Sequence, residues 1–361
     1  MKNIFKKFVL LCILIITAYV VKGLLDEREK LKSINTNTKE SFALFNTPDS
    51  EFLEFKKKLD SLPMKIQNYS GDTNLPLREY CIKSSYNSGI TGKYVSNDMI
   101  KLVLSRGCRF IDLEVLIVND TPIVSYTNDK SYSSRETDNT VVLDSIFSTI
   151  ASNAFVASIP NPKDPLFIHL RIKSNNLNAL KYIAATINNT FAKTNKLYKY
   201  KINNETTLGD IIGKIVIIID NTNIYNFNKI TKCTKDENSC YDLNNYISSK
   251  SNNEFFKKQK FIDILDSAHK VPTLDDNGIS DLKKINIGLP DVTDNNGLLS
   301  NNNTDNPDIR ELIYKHGVQI AGYKYYLPDE KFLEQEEFFN FFKSGIVPFK
   351  RTMPYLNRYF E

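Results

Sequence analysis

The chain has 361 residues, of which 41% are hydrophobic. This is enough for one domain the size of a TIM barrel, about 250 residues, with extra segments, whereas two full domains would be tight. Its 47 lysine and arginine residues nearly balance 42 aspartate and glutamate residues, for a formal net charge of +5 at pH 7. Such a charge argues against a nucleic-acid partner, which needs a localised basic stripe, and is compatible with an anionic membrane surface.

Residues 1–25 predict a membrane-targeting segment. Lysines precede an uncharged run from Phe8 to Val21, and Lys22 closes it. The run is short for a spanning helix, but flanking apolar residues can lengthen it while the lysines snorkel. No small-x-small cleavage site follows Ala18, so we favour an uncleaved signal anchor, or transmembrane helix, over a cleaved signal peptide or a core helix. The basic flank then predicts a single-pass protein whose C-terminal domain is lumenal or extracellular, or a secreted one if the segment is cleaved.

Residues 26–75 are predicted to form a stalk and linker. Within them the apolar residues between Ser50 and Leu62 have helical spacing, and Asp49 or Ser50 is the expected N-cap. The apolar stripe of this helix is more typical of packing against a domain than of a binding surface.

Strands and helices alternate over residues 76–355, which predicts a parallel sheet. Strands are expected near Tyr80–Ser85, Arg109–Val118, Pro122–Tyr126, Leu166–Ile172, Lys214–Asp220, Val318–Tyr325 and Ile346–Lys350. Helices are expected at Asn97–Ser105, Leu143–Ala154, Asn176–Thr194 and Asp329–Phe342. Residues 221–307 are rich in Asn, Asp, Ser and Lys and predict a polar insertion of long loops with one or two short helices. This insertion either covers one end of the predicted sheet or is a tolerated surface insertion.

One predicted strand carries two acids on a single face. Side chains alternate along a strand, so Phe110, Asp112 and Glu114 share one side, and the opposite side is apolar. Burying an unpaired charge costs several kcal/mol. The strand is therefore either an edge strand with a solvated acidic face or one whose acids meet a cation.

The order of these motifs resembles the catalytic X region of phosphatidylinositol-specific phospholipase C. The motifs are Ser84-Ser85-Tyr86-Asn87, then Arg106-Gly107-Cys108-Arg109, then Phe110-Ile111-Asp112-Leu113-Glu114. Similar runs follow at 122–126, 166–171, 207–217, 318–325 and 341–350. The resemblance implies a distorted TIM (β/α)8 barrel of the PLC-like phosphodiesterase type. Its site would lie at the C-terminal ends of the strands, with a calcium ion held by residues matching Asn87, Asp112 and Glu114.

The chain departs from this family where the chemistry lies. Tyr86 and Tyr126 stand at the positions of the two catalytic histidines, and a phenol with a pKa near 10 is a poor base at neutral pH. Arg171 aligns with a further calcium-ligand glutamate, and a guanidinium cannot bind a cation. The basic residues expected after the strand at Lys214 are replaced by the run from Ile218 to Asn221.

Arg171 suggests an alternative to calcium. It shares strand parity with His169, and its guanidinium could pair with Asp112 and Glu114 in place of the metal. The resemblance thus implies calcium, whereas Arg171 favours no metal. His169 is either a relocated general base or a hydrogen-bonded core histidine, and Lys324 would add a second cation if it points inward.

The remaining histidines and the cysteines predict structural roles. Cys81 and Cys108 are expected to be buried, and a Cys233–Cys240 bridge is expected if the domain is lumenal. His269 lies in the polar insertion, and His316 is expected at the end of the barrel opposite the site.

Two functions follow from these residues. The first is a membrane-anchored, catalytically degenerate phospholipase C-like protein that binds a phospholipid head group, a glycan or another protein. The second is an active phosphoric diester hydrolase acting on phosphoinositides or related phosphodiesters by an altered, metal-independent mechanism.

Overall fold

The computed structural model describes residues 22, 47–127, 135–174, 176–233, 241–290 and 305–360. All of them except Lys22 lie in one compact unit formed by Thr47–Asp294 and Asn303–Glu361. Within these ranges no helix is long and apolar enough to cross a membrane. The predicted anchor, apart from Lys22, and the predicted stalk before Thr47 lie outside the described residues.

Eleven strands are present in the described part of the chain. In chain order they are β1 Tyr80–Tyr86, β2 Phe110–Val118, β3 Thr121–Val124, β4 Val141–Val142, β5 Leu166–Ile172, β6 Ile215–Asp220, β7 Ser249–Lys250, β8 Phe256–Lys260, β9 Ile285–Leu289, β10 Ile320–Lys324 and β11 Ile346–Pro348. Eight of them pair in parallel in the order β7-β6-β5-β2-β1-β10-β9-β8. The two ends of this path, β7 and β8, are consecutive in the chain, so the sheet is a nearly closed barrel. The predicted TIM-type barrel is confirmed.

Three strands lie outside the parallel barrel. The strand predicted at Pro122–Tyr126 is β3, which pairs antiparallel with β2 and carries β4 on its other edge. The connecting residues Asn119 and Asp120 have φ of 48° and 60°, as a two-residue hairpin turn requires. The strand predicted at Ile346–Lys350 is β11, antiparallel to β1. Both strand predictions were right in position, but neither strand belongs to the parallel barrel.

Helices follow most of the strands. They are α1 Pro48–Asp60, α2 Asn97–Ser105, α3 Leu143–Asn153, α4 Leu177–Ile187, α5 Leu208–Ile211, α6 Phe227–Ile230, α7 Phe261–Leu265, α8 Ile309–His316, α9 Glu330–Phe342 and α10 Phe349–Phe360. Short 3₁₀ turns occur at Leu77–Glu79 and Leu243–Asn245, and a π-helical turn at Asn188–Ala192 extends α4. The four helices predicted in the barrel region are confirmed to within a few residues.

The helix α1 packs against the barrel unit. Its N-cap is Thr47, which forms a reciprocal capping box with Ser50, so the expectation that Asp49 or Ser50 caps it was wrong. Pro48 explains the difference, because proline is favoured just inside a helix start, after the cap. Leu59 is fully buried in an apolar cluster that also includes residues of α2, α8 and α9.

Residues 221–290 complete the barrel, which corrects the expectation of long loops there. They supply β7, β8 and β9 and the helices α6 and α7. The sequence pattern did not indicate these strands, because β7 has only two residues and β8 has the sequence Phe-Lys-Lys-Gln-Lys, with one apolar side chain. Phe256 points into the barrel interior with Ile285 and Ile287, and the pairing of β8 with β9 supplies the rest.

Alternation along the strands separates two apolar layers. Ile111, Leu113 and Val115 of β2 pack outward beneath α3 and α4, whereas Phe110 and Phe167 fill the barrel interior. The interior is therefore apolar toward the start of these strands, and polar side chains occupy it toward their C-terminal ends.

Buried charges outside that polar layer connect the barrel to its helices. Glu336 of α9 forms salt bridges to Lys83 of β1 at 2.6 Å and to Arg106 at 2.5 Å. Arg109 donates to the carbonyl oxygens of Ala154 and Asn161 at 3.0 and 2.5 Å. Both arginines of the Arg-Gly-Cys-Arg motif are therefore structural.

Two of the cysteines are free and one is in a disulfide bond, as expected for these positions. Cys81 and Cys108 are free and buried. Cys233 is disulfide-bonded, and Cys240, its predicted partner, lies outside the described residues.

Candidate active site

Polar side chains meet at the C-terminal ends of β1, β2 and β5. In the parallel register of β2 and β5, Asp112 is opposite His169 and Glu114 is opposite Arg171. These four residues point into the barrel because they share the parity of the interior residues Phe110 and Phe167. Asp112 and His169 are 0% exposed, Glu114 is 2% and Arg171 is 8%. The acidic face is thus buried and does not belong to a solvated edge strand.

The guanidinium of Arg171 binds Asp112 through two nitrogens. Its Nε lies 3.0 and 3.2 Å from the two carboxylate oxygens of Asp112, and its Nη2 lies 2.9 Å from Oδ2. Charge-assisted hydrogen bonds of this two-nitrogen kind are roughly twice as strong as hydrogen bonds between neutral groups.

The same guanidinium reaches three further groups. Its Nη1 donates to Oε2 of Glu114, and its Nη2 donates to Oδ1 of Asn87 at 2.5 Å. The ring of Tyr86 stacks beside it, with Cζ of Arg171 4.6 Å from the ring centroid. The expected pairing of Arg171 with both acids is present, and it includes the amide oxygen of Asn87.

The acids hold further hydrogen bonds that fix their orientation. Oδ2 of Asp112 accepts a hydrogen bond from the backbone N–H of Asn87 at 3.1 Å. Asn87 has a φ of 45°. Oε1 of Glu114 accepts from the backbone N–H of Thr127 at 2.9 Å. Each carboxylate oxygen of the pair therefore has a donor.

These contacts keep the site ionised. Burial alone would raise the pKa of the Asp112 carboxyl, but the charge of Arg171 and the hydrogen bond from His169 hold that pKa well below its usual range. Burial lowers the pKa of Arg171, but the charge of Asp112 outweighs it and raises the pKa well above the ordinary value. The pair is thus stable as ions at neutral pH.

Tyr86 and Tyr126, at the positions where the resemblance implies histidines, differ in how deeply they are buried. Tyr86 is 2% exposed, and burial raises the pKa of its phenol well above the ordinary value. Tyr126 is half-buried, with its hydroxyl 3.5 Å from the carbonyl oxygen of Gly92, and burial raises its pKa as well. Both phenols are therefore protonated at neutral pH even more completely than a free tyrosine, so neither supplies a phenolate that could act as a base.

His169 lies beneath the arginine. Its Nδ1 is 2.8 Å from Oδ1 of Asp112, so the ionised carboxylate makes Nδ1 the protonated nitrogen. Its ring stacks against Phe110 with centroids 5.7 Å apart. The other nitrogen, Nε2, is buried and has no hydrogen-bond partner among the described residues. The contacts of His169 therefore orient Asp112.

Two lysines of the barrel strands lie near acids other than Asp112 and Glu114. Lys324 ends β10 and is buried, which lowers its pKa, and the charges that raise this pKa are those of Asp329 and Asp305. Lys258 of β8 instead forms a salt bridge with Asp220 at the end of β6. The sequence reasoning missed Lys258, although it lies two residues after the inward-facing Phe256 and so shares its side of the strand.

Comparison with known proteins identifies the class of fold. Residues 73–220 match the family model for the X domain of phosphatidylinositol-specific phospholipase C. The structure is similar to PLC21 from L. pealei, with 15% sequence identity and a TM-score of 0.53 over 80% of this chain and 39% of that chain. It is also similar to PLC21 from S. officinalis, with 15% identity and a TM-score of 0.52 over 82% and 40% of the two chains.

A third structure is a calcium-dependent phosphoinositol-specific phospholipase C from Pseudomonas sp., at 10% identity and a TM-score of 0.42 over 76% of this chain and 96% of that one. No curated protein matches the chain in sequence. The chain spans about two fifths of the length of the two PLC21 structures. The predicted resemblance is confirmed: residues 73–220 match the X domain of phosphatidylinositol-specific phospholipase C, and the barrel has the same fold as the two PLC21 structures.

The ion pair predicts a specific pH dependence of stability. The folded-state pKa of Asp112 lies below its unfolded value of about 3.9, so the contribution of the pair is fully present above about pH 5 and is lost as the pH falls through the folded-state pKa. We expect Asp112→Asn to lower the free energy of unfolding by about 3 kcal/mol at pH 7, since it leaves Arg171 partly unpaired. Urea unfolding should show this difference shrinking toward pH 3.

The matched control is Asp98→Asn, which removes an exposed acid on α2 whose pair with Lys101 is half-exposed. We expect it to change stability by less than about 1 kcal/mol at either pH. A wild-type advantage over Asp112→Asn that is the same at pH 7 and pH 3 would contradict the assignment.

Proposed function

We propose that this chain is a membrane-anchored phospholipase C-like protein whose barrel is catalytically degenerate and serves in binding. The observation that carries the proposal is the position of Arg171, whose guanidinium contacts Asn87, Asp112 and Glu114 together. These three are the residues that the family resemblance assigns to the metal.

The donor set does not suit calcium. Calcium takes six to eight oxygen ligands, whereas each carboxylate oxygen of Asp112 and Glu114 already accepts a hydrogen bond, three of the four from Arg171. A guanidinium is permanently charged and has no lone pair for a cation. An ion in this position would have to displace Arg171 and leave its charge buried, which costs several kcal/mol.

Proton transfer is also poorly supported. A positioned general acid or base contributes about 10²–10⁴-fold to a rate, and the two histidine positions hold Tyr86 and Tyr126 with raised pKa values. His169 is fully buried and bonded to Asp112. We therefore assign His169 to positioning, and an active phosphodiesterase in which it acts as a relocated base is the second candidate function.

The binding role follows from what remains. Lys173, directly after β5, is half-buried near Glu114 and Arg171, and burial lowers its pKa, whereas the charge of Lys258 is paired with Asp220. A basic side chain beside the site fits an anionic group such as a phospholipid head group. A protein partner is the alternative occupant.

Exchanging the arginine for an acid should create a calcium site. Arg171→Glu places a third carboxylate beside Asp112 and Glu114, so the variant should be less stable than the wild type without metal and should gain about 5 °C in Tm at saturating Ca²⁺. Wild type should show no shift, measured by thermal unfolding of the full chain with Ca²⁺ and with chelator.

Arg171→Gln is the matched control, because it removes the cation without adding a carboxylate, and it should respond less to Ca²⁺ than Arg171→Glu. A calcium shift in the wild type would overturn the displacement of the metal by Arg171.

Phosphodiester cleavage tests the proposed function directly. We expect no hydrolysis of phosphatidylinositol or of a soluble inositol phosphodiester by the full chain, with Ca²⁺ or with chelator. The Tyr86→His, Tyr126→His double variant should also be silent, because Arg171 still contacts the acids. An active phospholipase C in the same assay is the positive control.

Turnover by the unmodified chain that His169→Ala abolishes would overturn degeneracy and establish the second candidate function. Turnover that survives His169→Ala would overturn degeneracy and exclude His169 as the base. Circular dichroism of each variant shows that silence does not reflect unfolding.

The anchor is tested by its apolar run. A charged residue at the centre of a spanning helix costs about 2.5–3.5 kcal/mol in membrane insertion, so Leu11→Arg with Ile15→Arg should release the chain from membranes washed with alkaline carbonate. Wild type should stay in the membrane fraction. Arg substitution at Lys6 and Lys7 is the control, because it preserves the flanking charge, and loss of wild type into the carbonate wash would contradict anchoring.

A further inference from the structure

Two histidines and a glutamate meet at the other end of the barrel. His269, Glu311 and His316 each offer one ligand atom, and these atoms all lie within 4.8 Å of one another. His316 ends α8, four residues before β10 begins at Ile320. The cluster therefore lies beside the N-terminal end of β10, whereas Arg171 lies at the C-terminal end of β5.

A backbone contact brings His269 to this position. The loop after α7 is held against the last turn of α8 by the hydrogen bond from the N–H of Lys270 to the carbonyl oxygen of Lys315, at 2.8 Å. The rings of His269 and His316 are consequently 5.3 Å apart and nearly perpendicular, at 85°. Residues far apart in the sequence are thus fixed next to each other.

The hydrogen bonds of His316 leave one ring nitrogen available. The hydroxyl of Ser267 donates to the carbonyl oxygen of Ile264 at 2.6 Å, so it accepts from Nδ1–H of His316 at 3.3 Å. The lone pair is then on Nε2, which is buried without a hydrogen-bond partner among the described residues. Histidines that bind metals are oriented in this way, with the second nitrogen donating to a neighbouring acceptor.

Glu311 completes the set while retaining a second contact. Its Oε1 is 2.9 Å from Nζ of Lys315, and Oε2 remains for a ligand. Nζ of Lys315 also lies 5.1 Å from the ring centroid of Phe360, so the ammonium has a second contact besides Glu311.

We propose that His269, Glu311 and His316 bind a divalent transition-metal ion, with zinc as the ion that the donors fit best. Two imidazole nitrogens and one carboxylate oxygen are three of the four ligands of a tetrahedral zinc, with water as the fourth. Calcium and magnesium prefer an all-oxygen shell and would be disfavoured. The ion would hold the loop after α7 against α8. Binding of this ion is independent of the residues around Arg171 and of the proposed function.

Zinc titration of the full chain tests the proposal. After chelator treatment and removal of the chelator, isothermal titration with ZnCl₂ should give one bound ion per chain, and zinc should raise the Tm of the wild type. His269→Ala and His316→Ala should each weaken zinc binding by more than tenfold, and Ser267→Ala by about tenfold through the lost orientation of His316. Ca²⁺ should not compete.

Glu311→Gln and Glu337→Gln form a matched pair. Both remove one carboxylate from a helix, but Glu337 is an exposed residue of α9 outside the cluster, so zinc affinity should fall in the first variant and stay unchanged in the second. Wild type that binds no zinc in excess, or zinc binding that survives combined His269→Ala and His316→Ala, would overturn the proposal. Circular dichroism of the variants without metal separates loss of binding from loss of fold.

Discussion

The salt bridges of Arg171 to Asp112 and Glu114 are the interaction on which the C-terminal layer of the barrel depends. Two carboxylates on the inward face of a central strand cannot be buried unless a cation compensates them. The register of β2 against β5 supplies that cation directly, since Glu114 and Arg171 are opposite each other. The neighbouring residues make the remaining contacts. Asn87 accepts a hydrogen bond from the guanidinium, the ring of Tyr86 stacks against it, and His169 is hydrogen-bonded to Asp112.

Two arginines of the motif that makes the family recognisable stabilise the fold and lie outside the candidate site. Arg109 bonds to the carbonyl oxygens of Ala154 and Asn161, and Arg106 joins Lys83 and Glu336 in a buried charge cluster. Removing one partner of such a cluster costs about 3–5 kcal/mol. The stability of the barrel is therefore enough to explain these two arginines, and their presence carries little information about turnover.

Sequence patterns predicted the parts of the fold that local physics determines. The strand β5 and the helix α2 have the predicted bounds because the side-chain pattern of a strand and the cap of a helix depend on residues that are neighbours in the sequence. The pairing of Arg171 with the acids was also accessible, because strand parity fixes which side chains share a face. In contrast, β7 and β8 are short and polar, and they exist through pairing with distant strands. The Lys258–Asp220 bridge and the His269–His316 contact depend on the same non-local packing, so spacing within the sequence could not reveal them.

Charge explains why arginine is a tolerable exchange at this position. With a glutamate there, as the family resemblance implies, three carboxylates and one calcium ion carry a net charge of −1, because −3 and +2 sum to −1. With Arg171 the two carboxylates and the guanidinium also carry −1. A neutral residue at position 171 would leave the two buried carboxylates without a cation. A glutamate at position 171 without calcium would leave three buried carboxylates without a cation. Arginine thus preserves the electrostatic balance of the layer without a metal, and its fork matches the carboxylates geometrically where lysine would offer a point charge.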